Sequence, residues 1–506
     1  VAPLPWGQIN FLHTTDTHGY LAGSLAESAK SYSADFGDMS AFVSRSKAIA
    51  DRLGVDLLLL DSGDLHDGTA LGDNSSPNGA LTLPLFANLP YDVLSIGNHE
   101  LYTTEIATNT YNTFAPKWGG RYLTSNVDIY INGTRRPFSD RYAYFTTKFG
   151  LRILSFGFLF NFTGNSNASV VTPVGTAVNQ TWFQAQARRS DIDLFVVVGH
   201  VTMRDSPEWD SVYKAIRAHH PATPIAFFGG HRHIRDFVVY DSSAVGLASG
   251  RYCETIGFMS ISGFGNKTRA NTPTGLGRSI KPGQGRNVTG AKRNVNSSLT
   301  FARSYLDFNR NTFIKLTTNG SSPFNTSLGL EITRNITDAR LALNLTAVFG
   351  CSPGDYYQSR YPVSSNMSIF NYLTNEVFPR VMVAPGREDQ PRIALINTGA
   401  VRYDLYKGKF GLDNAYQIIP FTNTILRKEV PWGVAKNLLK NMQTDRVYKR
   451  QEQIDLSLGY ATNDDFGRDG DNPQHIPLPF ASSPRYVQSN SSLPEDISDE
   501  TIVDVY

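Results

Sequence analysis

Over residues 1–262 short apolar runs alternate with segments whose apolar residues recur at helical spacing. This βα rhythm predicts an α/β domain built on a largely parallel sheet. The helical segments fall at 38–53, 80–89, 177–190 and 209–219. Apolar stretches at 142–149 and 151–158 meet at Gly150 as a hairpin, and 237–240, 245–248 and 255–261 are further strands. Such late antiparallel pieces predict mixed sheets packed face to face between helices. Residues 263–298 break the pattern: Gly, Asn, Thr, Pro, Lys and Arg dominate, and an exposed insertion is expected. Beyond it Ile332, Ile336, Ala339 and Leu343 share one helical stripe, which predicts a linking helix at 331–346. A helix at 366–378, a strand at 393–396 and a helix at 432–443 then point to a second, α+β domain over 347–506. Its Pro- and Ser-rich tail after Pro473 is expected to lie on the surface. A chain of 506 residues exceeds what one core usually supports, so the first domain is placed at 1–330 and the second kept separate.

The apolar runs of the first domain end in an unusual way. Val93-Leu94-Ser95-Ile96 enters Gly97 and then Asn98-His99-Glu100. The same abrupt change gives Asp16-Thr17-His18 after residues 10–15, Asp61-Ser62-Gly63-Asp64 after Leu57–Leu60, Gly199-His200 after Leu194–Val198, and Gly229-Gly230-His231-Arg232-His233 after Ile225–Phe228. Side chains released at the same end of neighbouring strands converge on one rim of a sheet. Asp16, His18, Asp64, Asn98, His200, His231 and His233 would then form a mixed nitrogen and oxygen cluster suited to zinc, with manganese or iron as alternatives. His13 falls inside its strand and is read as a core histidine. His66 is equally able to face the cluster or shape a turn, and His219, His220 and His475 are assigned to the surface.

Charge and composition narrow the classes. The formal net charge is +2, which gives no reason to invoke a nucleic acid polymer, and no apolar run approaches bilayer length. Fourteen Asn-X-Ser/Thr sequons stand at Asn74, Asn132, Asn161, Asn167, Asn179, Asn266, Asn287, Asn296, Asn319, Asn325, Asn335, Asn344, Asn366 and Asn490. Chance would give about six, so N-glycans and a secreted or vacuolar location are expected. In such a compartment the two cysteines, Cys253 and Cys351, are expected to pair, a bridge worth about 4–5 kcal/mol in the chain-entropy model.

Two divalent cations need a carboxylate between them. Asp64 is the candidate, with Asp16, His18 and His233 on one side and Asn98, His200 and His231 on the other. Two such cations would acidify a shared water for in-line attack at phosphorus, and His99 would donate a proton to the phosphoryl or leaving oxygen.

The blocks Asp16-Thr17-His18, Gly63-Asp64, Gly97-Asn98-His99-Glu100, Gly199-His200 and Gly230-His231-Arg232-His233, in this order, resemble the calcineurin-like metallophosphatases. His13-Thr14-Thr15-Asp16-Thr17-His18-Gly19, together with Asn397-Thr398-Gly399-Ala400-Val401-Arg402 and Pro420-Phe421-Thr422-Asn423, is similar to the 5′-nucleotidase branch. Arg251–Thr255 and Tyr305–Asn309 resemble its fungal members. The resemblance implies a four-layer αββα metallophosphatase domain and a C-terminal domain that binds the nucleoside. It also implies hydrolysis of nucleoside 5′-monophosphates; the residues leave monomer or dimer open. By the same resemblance Asn98 and Arg402 contact the substrate, Phe421 and Phe466 stack on the base, and Asp471 binds the ribose. Two departures stand out: Tyr102 occupies the place of the acid that orients the catalytic histidine, and the expected extra arginines are missing near 361–372. The alternatives are a nucleotide-sugar or cyclic-nucleotide phosphodiesterase or pyrophosphatase and, in another class, a catalytically silent metal-bearing protein.

Overall fold

The computed structural model describes residues 1–23, 33–273, 298–318, 323–421, 423–443, 455–457, 460–475, 477–478 and 481–506. Most of the expected insertion, 274–297, and the sequons at Asn287, Asn296 and Asn319 lie outside the described residues. Two compact units are present. The first comprises Val1–Asp67, Leu71–Leu343 and Ser457–Ile476, and the second Gly68–Ala70, Asn344–Leu456 and Pro477–Tyr506.

The first unit has the expected αββα layering. One sheet orders its strands Asp471–Asn472, Thr300–Asp307, Thr255–Ser262, Ile9–Thr14, Asp56–Asp61, Val93–Ser95, Tyr122–Leu123. Ile9–Thr14 runs parallel to Asp56–Asp61 and antiparallel to Thr255–Ser262, so the sheet is mixed. In a second sheet the strands Tyr460–Thr462, Ile234–Asp241, Ala244–Ser249, Ile225–Gly229, Leu194–His200, Arg152–Leu159 and Tyr142–Thr146 lie side by side in that order. Side chains alternate across each strand, so one face of each sheet buries against the other. Phe11, Leu58, Leu60 and Met259 meet Ile153, Val196, Phe228 and Leu247 in this central layer. The outer face of the second sheet holds Phe156, Phe195, Val197 and Phe227 against Trp209, Val212 and Ile216 of the helix Pro207–Arg217. On the first sheet's outer side the helix Phe36–Leu53 opens on a capping box at Asp35 and stops at Gly54, which holds φ 70°. That is the left-handed stop which glycine favours.

The helix Ser327–Ala342, expected to link the domains, packs within the first unit: Gly329 and Thr333 approach Gly37 so closely that a Cβ there would collide. The strand Thr300–Asp307 and the helix Arg310–Thr317 have no counterpart in the sequence reading.

In the second unit the strand at 393–396 forms as Arg392–Asn397. The predicted helix at 432–443 is split into Trp432–Ala435 and Leu438–Gln443. The tail is not a surface wrap. Tyr486–Ser492 and Ile502–Val505 are strands flanking Arg392–Asn397, with Val487, Val503 and Asp504 buried. His220 and His475 are buried as well: His220 Nε2 lies 2.9 Å from the Ala187 carbonyl oxygen and His475 Nε2 2.8 Å from Asp307 Oδ1. A polar partner makes each burial tolerable. Cys253 and Cys351 are free thiols, the first buried and the second exposed, so the expected bridge is not formed. Asn74, Asn132, Asn161, Asn167, Asn179, Asn266, Asn325, Asn335, Asn344, Asn366 and Asn490 are all exposed.

Candidate functional site

Five loops leave the carboxyl ends of the first unit's strands and meet around Asp64. Asp64 Oδ2 lies 2.9 Å from His200 Nε2, 3.7 Å from His18 Nε2 and 3.7 Å from His99 Nε2. Asp16 Oδ1 lies 3.1 Å from His233 Nε2 and 3.7 Å from His200 Nε2. The ligand atoms of Asp16, His18 and His233, and those of Asp16, Asp64 and His200, fall within 4.8 Å of one another. His231 joins them with its ring 5.2 Å from that of His200 and its amide donating to both Asp16 oxygens. Asp16, His18, Asp64 and His200 are fully or almost fully buried.

The backbone is bent to make this possible. Asp16 (φ 50°), His18 (46°), Asp64 (63°), His231 (73°) and His233 (58°) all hold left-handed conformations without being glycine. Such residues persist only where surrounding contacts over-determine them, which is common at functional sites. Glycine is needed where the loops touch. A Cβ on Gly97 would collide with the Asp64 carboxylate, and one on Gly230 with Thr15 and Asp16.

Three of the imidazoles, His18, His200 and His99, are aimed by the far nitrogen. His18 Nδ1 sits 2.6 Å from the His66 carbonyl oxygen and His200 Nδ1 3.0 Å from that of Ser62, which leaves Nε2 as the ligating atom in both. His99 Nδ1 sits 2.7 Å from Asp67 Oδ2. Asp67 thus supplies the orienting acid that Tyr102 does not, and the sequence reading missed it. Asn78 Nδ2 donates to the other Asp67 oxygen at 3.0 Å and fixes the carboxylate in turn. A second missed residue is Glu100, fully buried, whose oxygens accept from the amides of Asp64, Leu65 and Gly97 and lie 2.8 Å from His66 Nδ1. It ties the Asp64 loop to the Asn98 loop and gives His66 a structural place. His13 is a core residue between Ser249 and Ser62, and burial pushes its imidazole down to about 3.

Charge in the cluster is balanced internally. Burial opposes ionisation of Asp64, but His200, His99 and His18 hold its carboxyl well below the usual carboxylate range. Burial pulls His200 down, while Asp64 and Asp16 push it up to about 10. Burial and the neighbouring His200 lower His231 to about 4. Two buried orphans mark the ligand set. Asn98 Oδ1 has no hydrogen-bond partner among the described residues, and His200 Nε2 approaches Asp64 without the alignment of a hydrogen bond. Leaving such atoms unpaired is costly unless something else uses their lone pairs. The donors present, imidazole, carboxylate and amide oxygen, fit divalent cations of the zinc, manganese or iron class.

The substrate candidates divide between the units. In the second, the Arg402 guanidinium lies 5.6 Å from the Phe421 ring centre, so those two are brought together. Phe466 and Asp471 belong to the first unit, as a returning segment of chain. Phe466 packs on the central core with Arg303 over its ring at 5.1 Å, and Asp471 neutralises the buried Arg235. That packing supports neither a base contact nor a ribose contact for them.

A family model for the calcineurin-like phosphoesterases matches residues 9–235, and one for the NAD nucleotidase C-terminal domain matches 355–454 and 442–506. An uncharacterised protein of Schizosaccharomyces pombe is 42% identical, over 99% of this chain and 84% of its own. A protein of Arthroderma benhamiae described as a secreted protein is 40% identical, over 99% of this chain and 84% of its own. The crystal structure of a 5′-nucleotidase from Candida albicans is similar over 100% of this chain and 91% of that one, at 35% identity and a TM-score of 0.86.

Proposed function

The chain belongs to the 5′-nucleotidase family of calcineurin-like, metal-dependent phosphoesterases, and from that premise we propose that it hydrolyses nucleoside 5′-monophosphates to nucleoside and phosphate with two divalent cations. The observation that carries this reading is the meeting of the five strand-end loops on Asp64, with His99 aimed by Asp67 beside them. When bound, two cations supply Lewis acidity and an acidified water.

The chain's own residues do the rest. Asp64, central among three imidazoles, would sit between the cations. Asp16, His18 and His233 would hold one, and Asn98, His200 and His231 the other. His99 Nε2 would hand a proton to the leaving ribose oxygen, with Nδ1 anchored on Asp67 so that the ring does not turn. Arg402 and Phe421, in contact in the second unit, would bind phosphate or ribose and stack on the base.

Phosphate release from AMP, ADP, a dinucleotide pyrophosphate and bis(p-nitrophenyl) phosphate, assayed with added zinc or manganese, tests the proposal. Turnover of AMP well above the others is expected. Cleavage of the dinucleotide with AMP untouched would favour a pyrophosphatase, the reading that the NAD nucleotidase match to 355–506 supports. A chain that binds both cations and turns over none of these compounds would be the silent binding protein.

The exposed sequon asparagines and the secreted relative support passage through a secretory pathway, to the exterior or a vacuole. Among the described residues no helix is long and apolar enough to cross a membrane.

A further inference from the structure

The two halves of the ligand cluster are framed differently. On the Asp16 side, the Tyr252 ring stands edge-on to His18 and His233, at 5.3 Å from each, and stacks on Tyr20 at 4.5 Å. Tyr252 and Tyr20 are both buried. This half also has two carboxylates, its own Asp16 and the shared Asp64. The Asn98 half has only the shared one; its remaining donors, Asn98, His200 and His231, are neutral when they ligate. An ion held by neutral donors depends more on how those donors are aimed.

A primary amide is the donor least certain to be aimed, because turning it end for end replaces an oxygen by an NH₂ of the same shape. At Asn98 the amide nitrogen Nδ2 donates to Tyr102 Oη at 2.9 Å, while Oδ1 is buried with no hydrogen-bond partner among the described residues. Tyr102 is 39% exposed, and its ring meets His99 edge-on at 4.7 Å and Phe162 at 5.5 Å. The ring thus has packing partners besides the bond its hydroxyl makes.

From this geometry we propose that Tyr102 is a positioning residue for the cation of the Asn98 half: its hydroxyl takes the amide N–H of Asn98 and thereby reserves Oδ1 for the metal. The proposal rests on the two-cation reading above. It gives Tyr102, which stands where an acid would have oriented His99, a different task, while Asp67 performs the orienting from another loop.

The test uses Tyr102→Phe in the full chain, which keeps the ring and removes the acceptor. Variant and wild type are loaded with zinc alone and titrated with a chelator, and the remaining metal is counted by elemental analysis. One of two ions should leave the variant at roughly ten- to a hundredfold lower chelator concentration, the usual worth of an outer-shell partner. The other ion and the melting temperature of the metal-free protein should match wild type. Release of both ions as in wild type overturns the role of Tyr102 and leaves the two-cation reading standing. Equal weakening of both ions also overturns it, as general damage to the site. A wild-type chain that never holds two ions overturns both readings.

Discussion

At the rim of the first unit Asp16, His18, Asp64 and His200 are buried and each has a second partner that fixes its direction, whereas Arg402 and Phe421 of the second unit are partly exposed and lie against each other. The rim has spent backbone strain at five non-glycine positions to hold its atoms in place. None of the second unit's substrate candidates has a left-handed backbone. On the proposed function the contrast separates two tasks. Stabilising charge that develops at a phosphoryl group rewards atoms fixed before the substrate arrives. Holding a nucleoside rewards flat, adaptable contacts, whose loss weakens binding without removing the chemistry.

The largest effect should follow from removing the centre of the rim. Asp64→Asn should abolish turnover and release both cations, read by activity and metal content together. Retention of both cations with full activity would erase the contrast, because the shared carboxylate would then carry nothing. The next effect separates aiming from ligation. His99→Asn should keep both cations while slowing turnover by roughly 10²–10⁴, the ordinary worth of a positioned acid. Asp67→Asn should cost about ten- to a hundredfold and nothing further in the His99→Asn background, since the carboxylate acts through that ring. Additive losses in the double variant would mean that Asp67 acts elsewhere. In the second unit Phe421→Ala should cost about 1–3 kcal/mol of nucleotide binding, seen in KM, as base stacking is worth. Small aryl phosphates, which offer no base, should be spared; equal losses on both would move Phe421 into the fold's scaffolding.

What could be read from the residues follows the same division. The convergence of Asp16, His18, Asp64, His200 and His233 was legible because each stands where an apolar run ends, and neighbouring strands leave such ends one rim to share. Asp67 and Glu100 were not, because their work is done across loops more than thirty positions apart, with no local pattern to announce it. The strain at Asp16 or His233 has no signature in residue type. Phe466 and Asp471 show what a local string leaves out: the chain there returns to the first unit, where Phe466 packs against the central core and Asp471 pairs with Arg235. Burial of His475 and His220 depended on distant polar partners, Asp307 and the Ala187 carbonyl. The tail strand Ile502–Val505 was too short and too mixed for alternation to reveal it.

The smallest prediction concerns stability rather than rate, and it isolates how dry the interior beneath the rim is. His13 is completely buried between two serine hydroxyls, and burial lowers it to about 3 from an ordinary 6.5. The folded chain therefore resists taking up a proton that the unfolded chain accepts. With a depressed folded value, the stability tied to His13 is whole above pH 6.5 and drains as pH falls through about 3. His13→Gln should melt a few degrees below wild type at pH 7, because the contacts to Ser249 and Ser62 are imperfectly replaced. As pH falls the gap should narrow, since glutamine takes up no proton in the unfolded state. Melting curves of both proteins at pH 7, 5.5 and 4.5, recorded in chelator so that cation loss does not intrude, measure that gap. A gap that stays constant would mean His13 is hydrated in solution, and the layer supporting Asp16 would then be far less rigid than the strained loops above it require.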